Sequence, residues 1–403
     1  MSTVVYSFGN SLVSSQAKDL LGYAYTPFDP LNPLHLPPYT IRVKCMPGNT
    51  PGVTKGTTTY VGDDVYDITY ESRDWYALFR ENYRITKVLG ANTTGVTEMS
   101  DIFDSCTNLQ GVEHPFDCGN VLQAYDMFRN CTNLQYVPDL NTSRCTKLSG
   151  MFYNCTALSS VGNIDMSSAV ELGNAFNTCQ SLHSIPTLNT SNGQDFIGFF
   201  ANCKGVSTFP AVDTHNATRT SGMFSSCLSL TMPPMLNTSN VEDMSDMFAG
   251  CSNLQSIPQY DTSNATNMSG MFRYCPSLNV ANMPALDTSS AESMSAMFWG
   301  TPVGTVPTWL NTRNVRNFSK MFYDSSLRTL SNTSLRFDSA VDVELMFAEN
   351  YYVTDGAYAM YQAMSQIPTI TNHSGCFHYC GRSTTTGEAE LNMIPESWGG
   401  YAT

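Results

Sequence analysis

MFAGCSNLQSIPQYDTSNATNMSGMF, residues 247–272, begins and ends on Met-Phe, and the two Phe stand 24 residues apart. Working outward from this stretch, Phe recurs at 103, 128, 152, 176, 200, 224, 248, 272, 298, 322 and 347, at intervals of 24 to 26 residues. A fixed period of this length marks a stack of small units, none of which buries its own apolar face without a neighbour. The spacing therefore predicts a solenoid of about 24-residue units.

Inside each unit the residue types assign local roles. Ser149, Ser245, Ser269, Ser295 and Ser319 precede Met-Phe, and Ser100 precedes Ile-Phe, by one intervening residue, and they read as N-caps of a short helical turn. A Cys follows three residues after the Phe and a Leu three further on, leading into short strands that stop at Pro: LQYVP (134–138), LHSIP (182–186) and LQSIP (254–258). Beyond the Pro, Asn141, Asp165, Asn189, Asp213, Asn237, Asp261, Asp287 and Asn311 stand where Asx side chains would bond backbone N–H groups two residues on and fix a corner.

The flanks differ. Residues 1–40 hold TPFDPLNPLHLPPY and predict an extended Pro-rich arm. Residues 41–95 predict a small α+β N-terminal cap, with strands at TIRVKCMP (40–47), TTTYVG (57–62) and VYDITYES (65–72). Its helix is expected over RDWYALFRENY (73–83), where Trp75, Leu78, Phe79 and Tyr83 share one face. The repeats occupy 96–350, and 351–403 predict a C-terminal cap with a helix over DGAYAMYQAM (355–364) and a degenerate last rung, HSGCFHYC (373–380).

The unit F-x-x-C-x-x-L-x-x-I-P-x-x-[DN]-T-S resembles the BspA-type leucine-rich repeats, in the variant with M-F-x-x-C-x-x-L and D-T-S-N-V-T-N-M. The resemblance covers about residues 96–350. It implies an α/β repeat, a right-handed leucine-rich-repeat solenoid, and a non-enzymatic adhesion module of the kind found on bacterial surfaces and in phage-encoded proteins. Residues 1–40 and the end GEAELNMIPESWGG resemble flanks of gut-phage versions of such arrays. The expectation is thus a phage virion protein, a fibre or decoration, held through residues 1–40 by other virion or surface proteins. A bacterial cell-surface adhesin and a purely structural virion component stand as alternatives.

Composition narrows the partners. Apolar residues make up 42% and charged residues only 13%, about half of the ~25% usual in soluble domains. The net charge of −14 argues against nucleic acid and anionic membranes, which need clustered Lys and Arg. Membrane insertion is not expected, because no stretch approaches the ~18 apolar residues of a spanning helix. The start MSTVVYSFGNSLVSSQAKDL has neither a basic opening nor a long apolar run, and does not read as a secretory leader.

Catalytic spacing motifs are missing, so no enzyme and no cofactor are expected. Of the 13 Cys, those at 106, 131, 155, 179, 203, 227, 251, 275 and 380 follow a Phe by three residues, and Thr301, Ser325 and Asn350 take that place in later rungs. A disulfide framework does not tolerate such exchange, whereas a packing ladder of free thiols does. His373, Cys376, His378 and Cys380 offer metal-ligand types at a spacing unlike a standard zinc finger, and Cys380 is already explained as a rung Cys. The N-x-S/T triplets at Asn141, Asn189, Asn237 and Asn264 are by-products of the corner motif. Side chains vary along the strand column, and Tyr136, His183 and Gln255 are the candidate binding residues there, suited to a host-surface glycan or polar protein epitope under multivalent display.

Overall fold

A computed structural model describes residues 36, 38–115, 117–331 and 333–402. Apart from 36 and 38–40, the arm expected over residues 1–40 lies outside the described residues. Leu36 and Tyr39 belong to the cap. Leu36 is buried and its carbonyl accepts from Asn92 Nδ2 at 2.8 Å, while the Tyr39 carbonyl accepts from the Tyr70 N–H at 3.0 Å.

Four strands close the N-terminal end: β1 (Thr40–Cys45), β2 (Thr57–Gly62), β3 (Val65–Thr69) and β4 (Ile85–Asn92). Their alternating apolar residues put Ile41, Val43, Ile68, Ile85 and Val88 into the core. β1 lies between β3 and β4, antiparallel to both, and β4 then pairs in parallel with β5 (Gly111–Val112), followed by β6 (Tyr136–Val137) and β7 (Ser160–Val161). β4 is the element on which an antiparallel cap becomes a parallel stack.

The helix expected at 73–83 does not form, and the α+β character of this cap is corrected with it. The segment is a further rung: Phe79 stacks on Phe103 with centroids 5.5 Å apart, and Trp75 is fully buried. Apolar spacing of three and four residues fits a helix face and a rung corner equally, and hydrogen bonds to the next rung decide between them. The Phe79 N–H donates to Ile102 O at 2.9 Å instead of to a carbonyl four residues back.

The same chemistry repeats along the array. Ala124, Asp126, Phe128 and Asn130 donate their N–H groups to the next rung at 2.8–3.1 Å, while Arg129 and Cys131 donate to carbonyls three residues back in their own rung. This alternation requires left-handed backbone at two positions four residues apart, such as Asp126 (φ 53°) and Asn130 (φ 56°), where Asn, Asp and Gly recur because they adopt it at least cost. The repeats are therefore turn ladders; apart from a 3-10 turn at Val280–Asn282, they contain no helix among the described residues. Ser is not the cap either. The N–H of Ser100, Ser245, Ser269 and Ser319 donates to the side chain two residues earlier, Glu98, Asp243, Asn267 and Asn317, at 2.7–3.1 Å.

Those capping residues form the longest continuous pairing in the molecule, parallel bridges running in steps from Asp74 through Glu98, Gln123 and Lys147 to Asn372. The strands expected at 182–186 and 254–258 are not formed. Glu113 and Gly162 donate backbone N–H bonds to the rung before, but Pro138, Pro186, Pro210, Pro234 and Pro258 fill the same place and have no N–H to give.

Beneath the ladder runs the core. Phe79, Phe103, Phe128, Phe152, Phe176, Phe200, Phe224, Phe248, Phe272, Phe298, Phe322, Phe347 and Phe377 stack with neighbouring centroids 5.3–6.0 Å apart. Burying each Phe contributes roughly 1.5–3 kcal/mol. The corners hold as read: Oδ1 of Asn141, Asp165, Asn189, Asp213, Asn237, Asp261, Asp287 and Asn311 accepts the N–H two residues on at 2.9–3.4 Å. Past the array, α1 (Ala357–Ser365) and α2 (Thr385–Leu391) flank the last rung at Phe377. Thr384 Oγ1 caps α2 by accepting from Gly387 N.

Candidate binding surface

The three residues singled out by the sequence are not brought together. His183 and Gln255 occupy the same place in their rungs, seven residues after Phe176 and Phe248, and both are exposed. Three rungs at ~4.8 Å each separate them. Tyr136 sits one column over and is half-buried. Its ring covers Gly111, where an added Cβ would lie 2.5 Å from it, and burial and the hydrogen-bonded Glu113 push its hydroxyl up. Nor does the fold gather the His/Cys cluster. His373 stacks on Trp398 at 4.2 Å, His378 Nδ1 lies 3.5 Å from Glu349, and Cys376 and Cys380 are buried in the core. Among the described residues no group of three or more His, Cys, Asp or Glu is placed to hold a metal ion.

All 13 cysteines are free and buried. The rung thiols do more than fill space. Sγ of Cys106, Cys131, Cys155, Cys179, Cys203, Cys227, Cys251 and Cys275 donates to the Phe carbonyl of the preceding rung at 3.0–3.2 Å. Burial pushes the Cys106, Cys203 and Cys251 thiols up to about 12, so they stay protonated and chemically inert. Reactive-thiol chemistry is therefore not what this ladder supports.

A different surface distinguishes one part of the array. At the corner just after the core Phe, most earlier rungs place part-buried polar groups that bond to one another, the exception being Tyr153, whose ring lies 5.3 Å under the Arg129 guanidinium. Asn154 Nδ2 donates to Asn130 Oδ1 at 3.0 Å, and Asn202 Nδ2 to Asn177 Oδ1 at 3.3 Å. The last rungs place rings there. Tyr274 and Trp299 stand 5.2 Å apart at 48°, and Trp299 and Tyr323 stand 5.4 Å apart at 69°. Tyr351 and Tyr379 continue the strip at 6.0 Å. Tyr274 is 47% exposed. Lys320 Nζ lies 5.6 Å over Trp299. Burial, then Glu349, Asp324 and Tyr274, raise the Tyr323 hydroxyl; the hydrogen-bonded Glu349 pushes Tyr351 up to about 12. Tyr274, Trp299 and Tyr323 lie outside the strand column and are readable in the sequence as rings one or two residues after their core Phe in consecutive rungs.

The family described as "Mycoplasma protein of unknown function, DUF285" matches residues 73–187, 159–254, 234–327 and 255–357, together covering 73–357. The chain belongs to this family. The DUF285 match opens at residue 73, where the turn ladder also begins. No curated protein matches the chain. Among solved structures it is similar to a leucine-rich repeat protein from Bacteroides ovatus, at 12% identity and TM-score 0.32, covering 82% of this chain and 92% of that one. A leucine-rich cell surface protein from Faecalibacterium prausnitzii shares 16% identity over 51% of this chain and 74% of its own, with TM-score 0.26. An internalin from Listeria monocytogenes shares 13% identity over 71% and 86%, with TM-score 0.23.

Proposed function

We propose that the chain is a non-enzymatic binding module displayed at a bacterial cell surface, attaching its bearer to another cell or to extracellular material. The observation that carries this reading is the differentiation of one rung surface against a constant core. The Phe column and the corner bonds repeat throughout, while the corner residues change from a polar ladder to an aromatic strip. Stability alone asks for no such change. The virion setting first expected has no counterpart among the matched proteins, and the cell-surface alternative takes its place. Residues 1–35, ahead of the Leu36 and Tyr39 held in the cap, are proposed as the attachment segment, and the exposed His183 and Gln255, with Tyr136 at the edge, as contacts on the Pro side of the array.

Each contact made by exposed rings and amides is weak, so useful affinity requires many copies. Beads carrying the full chain at high density should bind cultured epithelial cells or bacterial cells at least ~10²-fold better than the free monomer. Beads that bind neither cell type nor extracellular matrix would refute the module reading.

A further inference from the structure

We infer that the partly exposed strip of the late rungs, Tyr274, Trp299 and Tyr323 with Lys320, Asp324 and Glu349, is a binding site for neutral carbohydrate. The inference rests on the module reading and adds to it a location and a ligand class.

Backbone conformation gives the first argument. Tyr274 (φ 56°), Ala296 (φ 56°), Lys320 (φ 58°) and Tyr379 (φ 58°) hold left-handed backbone, which costs a residue with a Cβ roughly 1–2 kcal/mol. The equivalent places in earlier rungs are mostly Asn, Asp, Gly or Ser, for which the cost is lowest or locally offset. Among the rings of the strip Tyr274 holds this conformation, and a bulky residue kept there with its ring 47% exposed points to a use for the ring.

Preorganisation is the second. The Tyr274 N–H donates to Trp299 O at 2.7 Å, Gly300 N to Tyr323 O at 3.0 Å, and Asp324 N to Ala348 O at 3.0 Å, so the strip is fixed by the ladder itself. Gly300 (φ 67°) provides the seat for Tyr274: an added Cβ would lie 2.6 Å from that ring. A rigid aromatic platform loses little entropy on binding.

The choice of ligand follows from charge. Asp324 supplies acceptors, Glu349, already bonded by the Tyr351 hydroxyl and 3.5 Å from His378 Nδ1, adds negative charge, and Lys320 supplies donors beside the same rings. An anionic ligand would meet the two carboxylates, and a cationic peptide would meet Lys320, which already covers the Trp299 face. A polyol is served by the mixture, because each hydroxyl both donates and accepts while its C–H faces lie on aromatic rings.

The test is affinity electrophoresis of the full chain through gels holding a soluble β-glucan, a galactomannan or a xylan, with tryptophan fluorescence titrations alongside. At least one polysaccharide should retard the protein. Trp299→Ala and Tyr323→Ala should each weaken that binding about tenfold or more with a cooperative melt retained, and Asp324→Asn should weaken it without altering the melt. The inference is overturned if no neutral polysaccharide retards the chain, if the variants bind like the parent, or if oligolysine binds in preference and is lost in the same variants. Cell binding by coated beads that persists after any of these results would leave the module reading standing and remove only this site.

Discussion

The rungs at Phe103 through Phe272 and those at Phe298, Phe322 and Phe347 solve one problem with different atoms. In the first group a thiol donates to the Phe carbonyl of the rung before. In the second, Thr301 Oγ1 donates to Phe272 O and Asn350 Nδ2 to Phe322 O at 2.6 Å, while Ser325 Oγ turns to Phe322 O of its own rung at 2.8 Å. Asn350 Oδ1 also accepts from Ser325 N at 3.2 Å and Leu327 N at 2.8 Å. The position therefore demands a small buried donor, and reading its cysteines only as small apolar residues was incomplete. Once the donor need is met, sulfur is dispensable, and the late rungs depart from the repeat consensus both here and on their outer corner.

If the stack is one continuous structure, the largest effect comes from removing a core ring in either group. Phe224→Ala and Phe322→Ala should each cost ~3–5 kcal/mol, and hydrogen exchange should quicken in the two adjacent rungs, since repeat stability is a nearest-neighbour sum. Exchange confined to the mutated rung would show that the groups are not coupled.

The donor comparison is sharper at Asn350. Asn350→Ala orphans the buried N–H groups of Ser325 and Leu327 and should cost about 2–4 kcal/mol, at ~1–3 kcal/mol for each unpaired group. A melt within error of the parent would mean that water replaces the amide.

Cysteine effects should be smaller and pH-dependent. Cys227→Ser keeps the donor and should cost less than Cys227→Ala, with both near ~1 kcal/mol; the reverse order would restore a purely packing role. Burial raises the folded thiols at 106, 203 and 251 from 9.0 to about 12. Their contribution is whole below the unfolded value of ~8.5 and is lost as pH climbs toward about 12. Melting temperature should therefore fall across that alkaline window, and less steeply in a chain carrying Cys203→Ser.

The smallest effect probes the strained corners. Ala296→Gly should stabilise by up to ~1 kcal/mol by relieving left-handed backbone, whereas Gly270→Ala (φ 63°), at the same place one rung earlier, should destabilise.

How much was legible follows from which signals were local. The Phe period, the Asx corners and the strand segments β1 to β3 depend on residue type and spacing, and the sequence displays both. The rung at 73–83 was hidden because its apolar spacing also suits a helix, although Phe79 lies 24 residues before Phe103 and carries the period. α2 was hidden because Thr384 caps a seven-residue segment too short to show a face. The strand column is a candidate binding face because its side chains vary; that most of it is unpaired is not part of that reading, although the prolines that end the LxxIP segments have no N–H to give. The aromatic strip depends on which corner lies outward in the folded rung, and a linear reading does not reveal that until the ladder is known.

The central claim, that the late rungs carry recognition on a scaffold shared by all rungs, is tested most directly by comparing two triple variants on coated beads. Tyr274→Ala with Trp299→Ala and Tyr323→Ala should reduce cell binding at least tenfold, while Tyr136→Ala with His183→Ala and Gln255→Ala should reduce it far less. Undiminished binding by the first variant, with loss in the second, would contradict the account and return the site to the Pro side of the array.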